Sequence, residues 1–119
     1  MIKYHKIADN KIIAELTDDN FIISQVQDVL DIMGDMGSYG CNRIILHEKH
    51  LHKDFFNLKT GLAGDILQKF SNYHVKLAIV GDFSQYHSKS LRDFILESNK
   101  GNRIFFVENM DSALLKLRL

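Results

Sequence analysis

The chain reads as an α/β domain that opens with a β-hairpin and then alternates helices and strands around a mostly parallel sheet. Three observations predict this. Short apolar runs of strand length alternate with stretches whose apolar residues recur every three or four positions. Turn-forming pairs such as Asp9-Asn10 and Gly81-Asp82 punctuate the runs. The length, 119 residues with 45% apolar and 25% charged side chains, is that of one ordinary globular domain.

Lys3 to Ala8 and Lys11 to Leu16 read as two strands, joined by Asp9-Asn10, residues that tolerate the left-handed geometry of a two-residue turn. Ile23, Val26, Val29, Leu30, Met33 and Met36 then have helical spacing, which predicts an amphipathic helix capped by Ser24 or Asp19 and ended by Gly34, Gly37 and Gly40. Asp28, Asp31 and Asp35 fall on its wet face. Arg43 to His47 is apolar with little alternation, as in a strand covered on both faces. After a loop rich in His and Lys, Leu58, Leu62, Ile66, Leu67 and Phe70 describe a second helix. Val75 to Val80 is the next buried strand. Ser90 starts a third helix with Leu91, Phe94 and Ile95 inward. Arg103 to Val107 is the last strand, and Asp111 caps a final helix carrying Leu114, Leu115 and Leu117.

The order β-β-α-β-α-β-α-β-α implies right-handed crossovers and helices on both faces of the sheet. Ile45, Leu62, Ile66, Phe70, Leu77, Ile79, Phe94 and Phe106 are the expected core. No linker, repeat or proline interrupts the chain, so residues 1–119 form one domain.

Composition narrows the function classes. One cysteine, Cys41, leaves no internal disulfide and no cysteine-rich zinc site, which fits a reducing compartment. No stretch has the length of a signal peptide's apolar core or a membrane span, so a cytoplasmic protein starting near Met1 is expected. Fifteen bases balance fifteen acids, against bulk attraction to nucleic acid. The charge is unevenly distributed. Between Ile12 and Asn42 there is no Lys or Arg, but there are Glu15, Asp18, Asp19, Asp28, Asp31 and Asp35. Such asymmetry steers a partner or marks a solvated helix face.

From Arg43 to Gly64 the chain runs Arg-Ile-Ile-Leu-His-Glu-Lys-His-Leu, a loop, then Leu58-Lys59-Thr60-Gly61-Leu62-Ala63-Gly64. A strand, a loop and a small-residue helix start of this kind resembles the STAS domain of anti-sigma-factor antagonists, whose element order matches nearly the whole chain. The segments His47 to Tyr73, Lys76 to Phe83 and Ser90 to Gly101 are similar to a family of short bacterial proteins catalogued as a domain of unknown function. The STAS resemblance implies a protein-binding regulatory domain. In antagonists a phosphorylatable Ser follows an Asp at this helix start. Here Lys59 stands in that place with Leu58 before it, and Thr60 is the adjacent hydroxyl.

In open α/β sheets ligands sit beyond the carboxyl ends of the strands. That edge gathers the loops His47 to Lys59 and Asp82 to Ser90, and with them His47, Glu48, His50, His52, Asp54, Lys59, Thr60, Asp82, Ser84, Tyr86, His87 and Ser88. His47, Glu48, Asp54, Lys59, Thr60, Asp82, Ser84 and Ser88 are the candidate binding residues. His50-Leu51-His52 is a His-x-His pair whose rings, on an extended backbone, point the same way and with a neighbouring carboxylate offer a metal site. Against that, histidines on such loops serve as surface hydrogen-bonders, and no stoichiometric metal is expected. His47 with Asp82 is the candidate acid–base pair, although an Asp after a strand also caps the following turn.

No nucleophile stands out. Cys41 lies ahead of a strand, and Ser84 and Ser88 lack an elbow motif. Thr60 to Gly64 lacks the Gly-Lys-Ser/Thr of a phosphate loop, so no cofactor is expected. The leading expectation is a protein-binding module without catalysis, acting through the rim loops and the start of helix two. The alternatives are a small enzyme or metal-dependent sensor on the His/Asp cluster, and a sensor of a small anion. Neither nucleic acid nor membrane is an expected partner.

Overall fold

The computed structural model describes residues 1–118. Strand β1 (Ile2–Ala8) turns at Asp9-Asn10 into β2 (Lys11–Leu16), and the two pair antiparallel from Ile2 opposite Leu16 to Ala8 opposite Lys11. Strands β3 (Arg43–His47), β4 (Lys76–Val80) and β5 (Ile104–Val107) follow, each parallel to its predecessor. The spatial order is β1-β2-β3-β4-β5, the order of the chain itself. Four helices complete the described residues: α1 (Val26–Gly37), α2 (Leu62–Asn72), α3 (Lys89–Lys100) and α4 (Met110–Arg118). The domain is therefore α/β with a mixed five-stranded sheet, three of whose four pairings are parallel. No described helix is long and apolar enough to cross a membrane.

Side chains alternate across the strands, and β2 to β5 are buried on both sides. Ala14, Leu16, Ile44, Leu46, Leu77, Ile79 and Phe106 meet Val29, Ile32 and Met36 of α1 and Ala63, Ile66 and Phe70 of α2. Phe94 and Ile95 bring α3 onto the same layer. On the reverse face, Ile13, Ile45, Ala78, Phe105 and Val107 pack against Ala113 and Leu117 of α4. This two-sided burial explains why β3 and β4 read as unbroken apolar runs. Of the expected core, Ile45, Ile66, Phe70, Leu77, Ile79 and Phe106 are buried, whereas Leu62 and Phe94 are half-buried at its margin.

Several helix boundaries differ from the sequence reading, each for a local hydrogen-bonding reason. Ile23 has helical spacing but is extended. Its N–H donates to the His50 carbonyl and its own carbonyl accepts from His52 N–H, at 2.6 and 3.0 Å. Gln25, rather than Ser24 or Asp19, is the α1 N-cap, and the Asp28 carboxylate accepts the N–H groups of Ser24 and Gln25 at 3.0 and 3.2 Å. Gly34 lies inside α1, Gly37 ends it, and Gly40 turns the chain at φ +68°. Leu58 falls in a separate 3-10 turn, so α2 begins at Leu62 after Gly61, whose φ of +80° needs glycine's freedom. Helix α3 starts at Lys89 with Ser88 as cap, and Asn109 rather than Asp111 caps α4 by accepting Ser112 N–H at 2.8 Å. Leu115 is 61% exposed, because Ala113 and Leu117 face the sheet instead.

Candidate functional site

The register sets His47 beside Val80, so β3 and β4 end level and the loops after them meet. Glu48 is the first residue past β3. Its carboxylate reaches across the end of β4 to accept Asp82 N–H at 3.1 Å, the Gln85 side-chain amide at 2.6 Å, and the Tyr86 hydroxyl. Gly81 makes the crossing possible, since a Cβ there would lie 2.6 Å from Glu48 Cβ. Burial, and then the hydrogen bond and charge of Glu48, push the Tyr86 hydroxyl far above its ordinary value, so the phenol stays a donor.

Asp82 does not meet His47. Its Oδ1 accepts both the hydroxyl and the N–H of Ser84, at 2.6 and 3.1 Å, and caps the 3-10 turn Phe83–Gln85. Those two bonds, the hydroxyl's first, lower the Asp82 pKa. The expected His47–Asp82 acid–base pair is thus corrected: His47 Nε2 lies 2.7 Å from Glu15 Oε2. The other oxygen of Glu15 lies 2.8 Å from His5 Nε2. The carboxylate of β2 is held between an imidazole from β1 and one from β3. Burial raises the Glu15 pKa, but the hydrogen bonds from His47 and then His5 outweigh it and the net shift is downward.

His50 is fully buried. Its Nδ1 accepts His47 N–H at 3.0 Å and its Nε2 donates to the Asp18 carbonyl at 2.7 Å. A ring accepting at one nitrogen and donating at the other is neutral, in agreement with a pKa lowered by burial. His52 instead caps the turn Lys53–Phe56 by accepting Asp54 N–H at 3.0 Å. The two rings serve different partners, because Glu48–His50 is a 3-10 turn rather than extended chain. Among the described residues no three His, Cys, Asp or Glu side chains are placed to hold a metal ion.

Thr60 lies in the 3-10 turn Leu58–Thr60, outside α2. Its hydroxyl is within 2.7 Å of the Asp54 carbonyl and 2.9 Å of the Asn57 carbonyl, and it accepts Leu62 N–H at 3.2 Å. It ties the loop to the helix entry. Ser88 Oγ accepts Leu91 N–H at 3.3 Å. Lys59 and Ser88 line a recess of 460 Å³ with Phe56, Leu58 and Ser90. Phe56 stacks on Tyr86 with ring centroids 4.7 Å apart and planes 14° from parallel, which fixes the wall of the recess.

The rim therefore holds Glu48, Asp82 and Ser84 in one network and Lys59 and Ser88 around one recess. It turns His47 toward the hairpin and uses Asp54 and Thr60 inside their own loop. The family model for the domain of unknown function DUF4180 matches residues 8–117. The chain belongs to the DUF4180 family. No curated protein and no solved structure matches it. The DUF4180 match spans both loops of the rim and the helices up to the penultimate residue of α4, and begins at the last residue of β1.

Two features of this DUF4180 domain escaped sequence reasoning. His5 and Glu15 join His47 only because β2 lies between β1 and β3. The hairpin register gave half of that signal, since His5 faces Ile13 and Glu15 is two residues on, on the same side. The aromatic group of Phe56, Phe83 and Tyr86 was visible only as isolated rings on two loops.

Proposed function

We propose that this DUF4180 domain is a partner-binding regulatory module of STAS-like architecture that works through its carboxyl rim in a bacterial cytoplasm. The observation that carries the reading is the saturation of the rim. Glu48 takes three donors from the opposite loop, Asp82, Thr60 and Ser88 are committed to local bonds, and His50 is bonded to the Asp18 carbonyl. Polar groups spent on each other build a preformed surface, which lowers the ordering cost of binding. The surface has a concave centre. Exposed Lys59 and the first turn of α3 beside the recess suit a carboxylate or phosphate on the partner. The opening hairpin and the chain-order sheet support the STAS-like reading. The free, buried Cys41 fits a reducing compartment.

A photo-crosslinking residue at position 59 should trap a protein partner in cells, and Lys59→Glu should abolish its capture while leaving thermal unfolding unchanged. Asp31→Lys on α1 should leave capture intact. Loss with Asp31→Lys and retention with Lys59→Glu would move the binding face to α1 and defeat this reading. A second reading, an acid–base or anion-sensing site, is favoured by the shared Glu15 carboxylate, since a carboxylate that orients an imidazole is how general bases are positioned. Shifts of the His5 and His47 ring resonances on adding inorganic phosphate would promote it, and their absence would remove it.

A further inference from the structure

A second concavity lies away from the rim, between the hairpin and α1. This cleft has a volume of 590 Å³, within the range of small-molecule sites. Ile2, Leu16, Phe21 and Ile32 contribute apolar surface to it. Tyr4 and Tyr39 also line it as a ring pair with centroids 4.5 Å apart, and Tyr39 is 63% exposed. The pairing with Tyr4 leaves most of the Tyr39 ring in water, and an aromatic face beside water attracts organic cations.

Asp28, Asp31 and Asp35 line the same cleft from α1. One oxygen of Asp28 accepts backbone N–H groups and one of Asp31 accepts the Gln27 amide at 2.8 Å. Among the described residues none of the three forms an ion pair. The one cation among the lining residues, the Met1 ammonium, pairs with Asp18 rather than with these three, and no Lys or Arg occurs between Ile12 and Asn42. Spacings of three and four residues separate the carboxylates by about 4.5 and 6 Å along the helix axis. A divalent metal ion needs oxygens converging on one point. A row of separated charges beside apolar and aromatic surface instead complements ammonium groups separated by methylenes.

We propose that this cleft binds a linear aliphatic polyamine, with its ammonium groups at the α1 carboxylates and its methylenes against Tyr4 and Tyr39. The chemistry divides the work: carboxylates select charge, and the rings and apolar surface select an organic chain over a hydrated inorganic ion.

Calorimetric titration of the full chain with spermidine tests this. Saturable one-to-one binding is expected, still measurable at physiological salt. Asp31→Asn/Asp35→Asn should weaken it about tenfold, and Tyr39→Leu, which leaves the charge unchanged, about threefold. Both substitutions are at exposed positions, and unchanged thermal unfolding would verify that the fold is intact. Wild-type affinity in both variants would overturn the proposal. So would complete displacement by magnesium at equal charge concentration, which would make the cleft a counter-ion surface only. Tighter binding of a lysine-rich peptide through the same residues would make it a protein-docking groove and equally overturn the assignment.

Discussion

Glu15 and His50 give the domain two built-in responses to acid. The folded pKa of each lies below its ordinary value, so each group binds fewer protons folded than unfolded and stabilises the fold at neutral pH. The His50 contribution is lost as pH falls below the ordinary histidine value of 6.5, and the Glu15 contribution as it falls below 4.5. Urea unfolding from pH 7.5 to 3 should therefore show stability declining in two windows. His50→Asn should remove the upper one, and Glu15→Gln should shrink the lower one, which Asp82 shares through its own lowered pKa. At neutral pH each substitution should cost about 1–3 kcal/mol, because buried donors or acceptors lose their partners. An unchanged pH slope in His50→Asn would mean that the ring is not held neutral by its burial. None of this was legible from the residues alone. A histidine in a His-x-His loop reads as a surface hydrogen-bonder or a metal ligand until the bend of Glu48–His50 turns its ring inward.

At the scale of elements, the end of β4 depends on a side chain that is missing. Gly81 leaves the space through which Glu48 passes, and an added methyl would overlap Glu48 Cβ and Oε1, both 2.6 Å away. Gly81→Ala should thus cost about 1–3 kcal/mol by overpacking and expel Glu48 from its contacts with Gln85 and Tyr86. Faster hydrogen exchange at the Asp82 amide would report the loss. Protection equal to wild type would show that Glu48 has another route. Elements whose periodicity is set by burial, β2, β3 and most of α2 and β4, were read from sequence nearly to the residue. The helix ends were not, because caps are chosen by tertiary fit. Ile23 keeps helical spacing yet pairs with Leu51, and Gln25 caps α1 although Ser24 is the better cap by type. At the candidate site, the neighbourhood of the two loops followed from parallel strands ending together, whereas the partner of each side chain depended on turns that leave no pattern.

For the whole molecule, the division of labour between the sheet faces is unequal. Three helices cover one face and α4 alone meets the layer on the other, through Ala113 and Leu117. Both are fully buried, so the last described helix is as much a part of the core as α2. Leu117→Ala should cost about 2–5 kcal/mol, comparable to Ile66→Ala, with one transition retained in thermal unfolding. A near-neutral Leu117→Ala would show that α4 docks only loosely.

The agreement between chain order and spatial order has a kinetic consequence. Each parallel pairing closes one βα unit, and no strand waits for a distant segment to arrive beside it. Search entropy is small when contacts are near in sequence, so refolding should be fast for a mixed α/β domain. The hairpin and the first crossover contain every residue through β3 and can pair before the carboxyl half exists. A nascent chain emerging from the ribosome can thus lay down its sheet strand by strand, each new edge serving as the template for the next. Pulse-labelled exchange during refolding should find β2–β4 amides protected in milliseconds; seconds-long protection of β3 against β4 would show instead that the sheet assembles only as a whole.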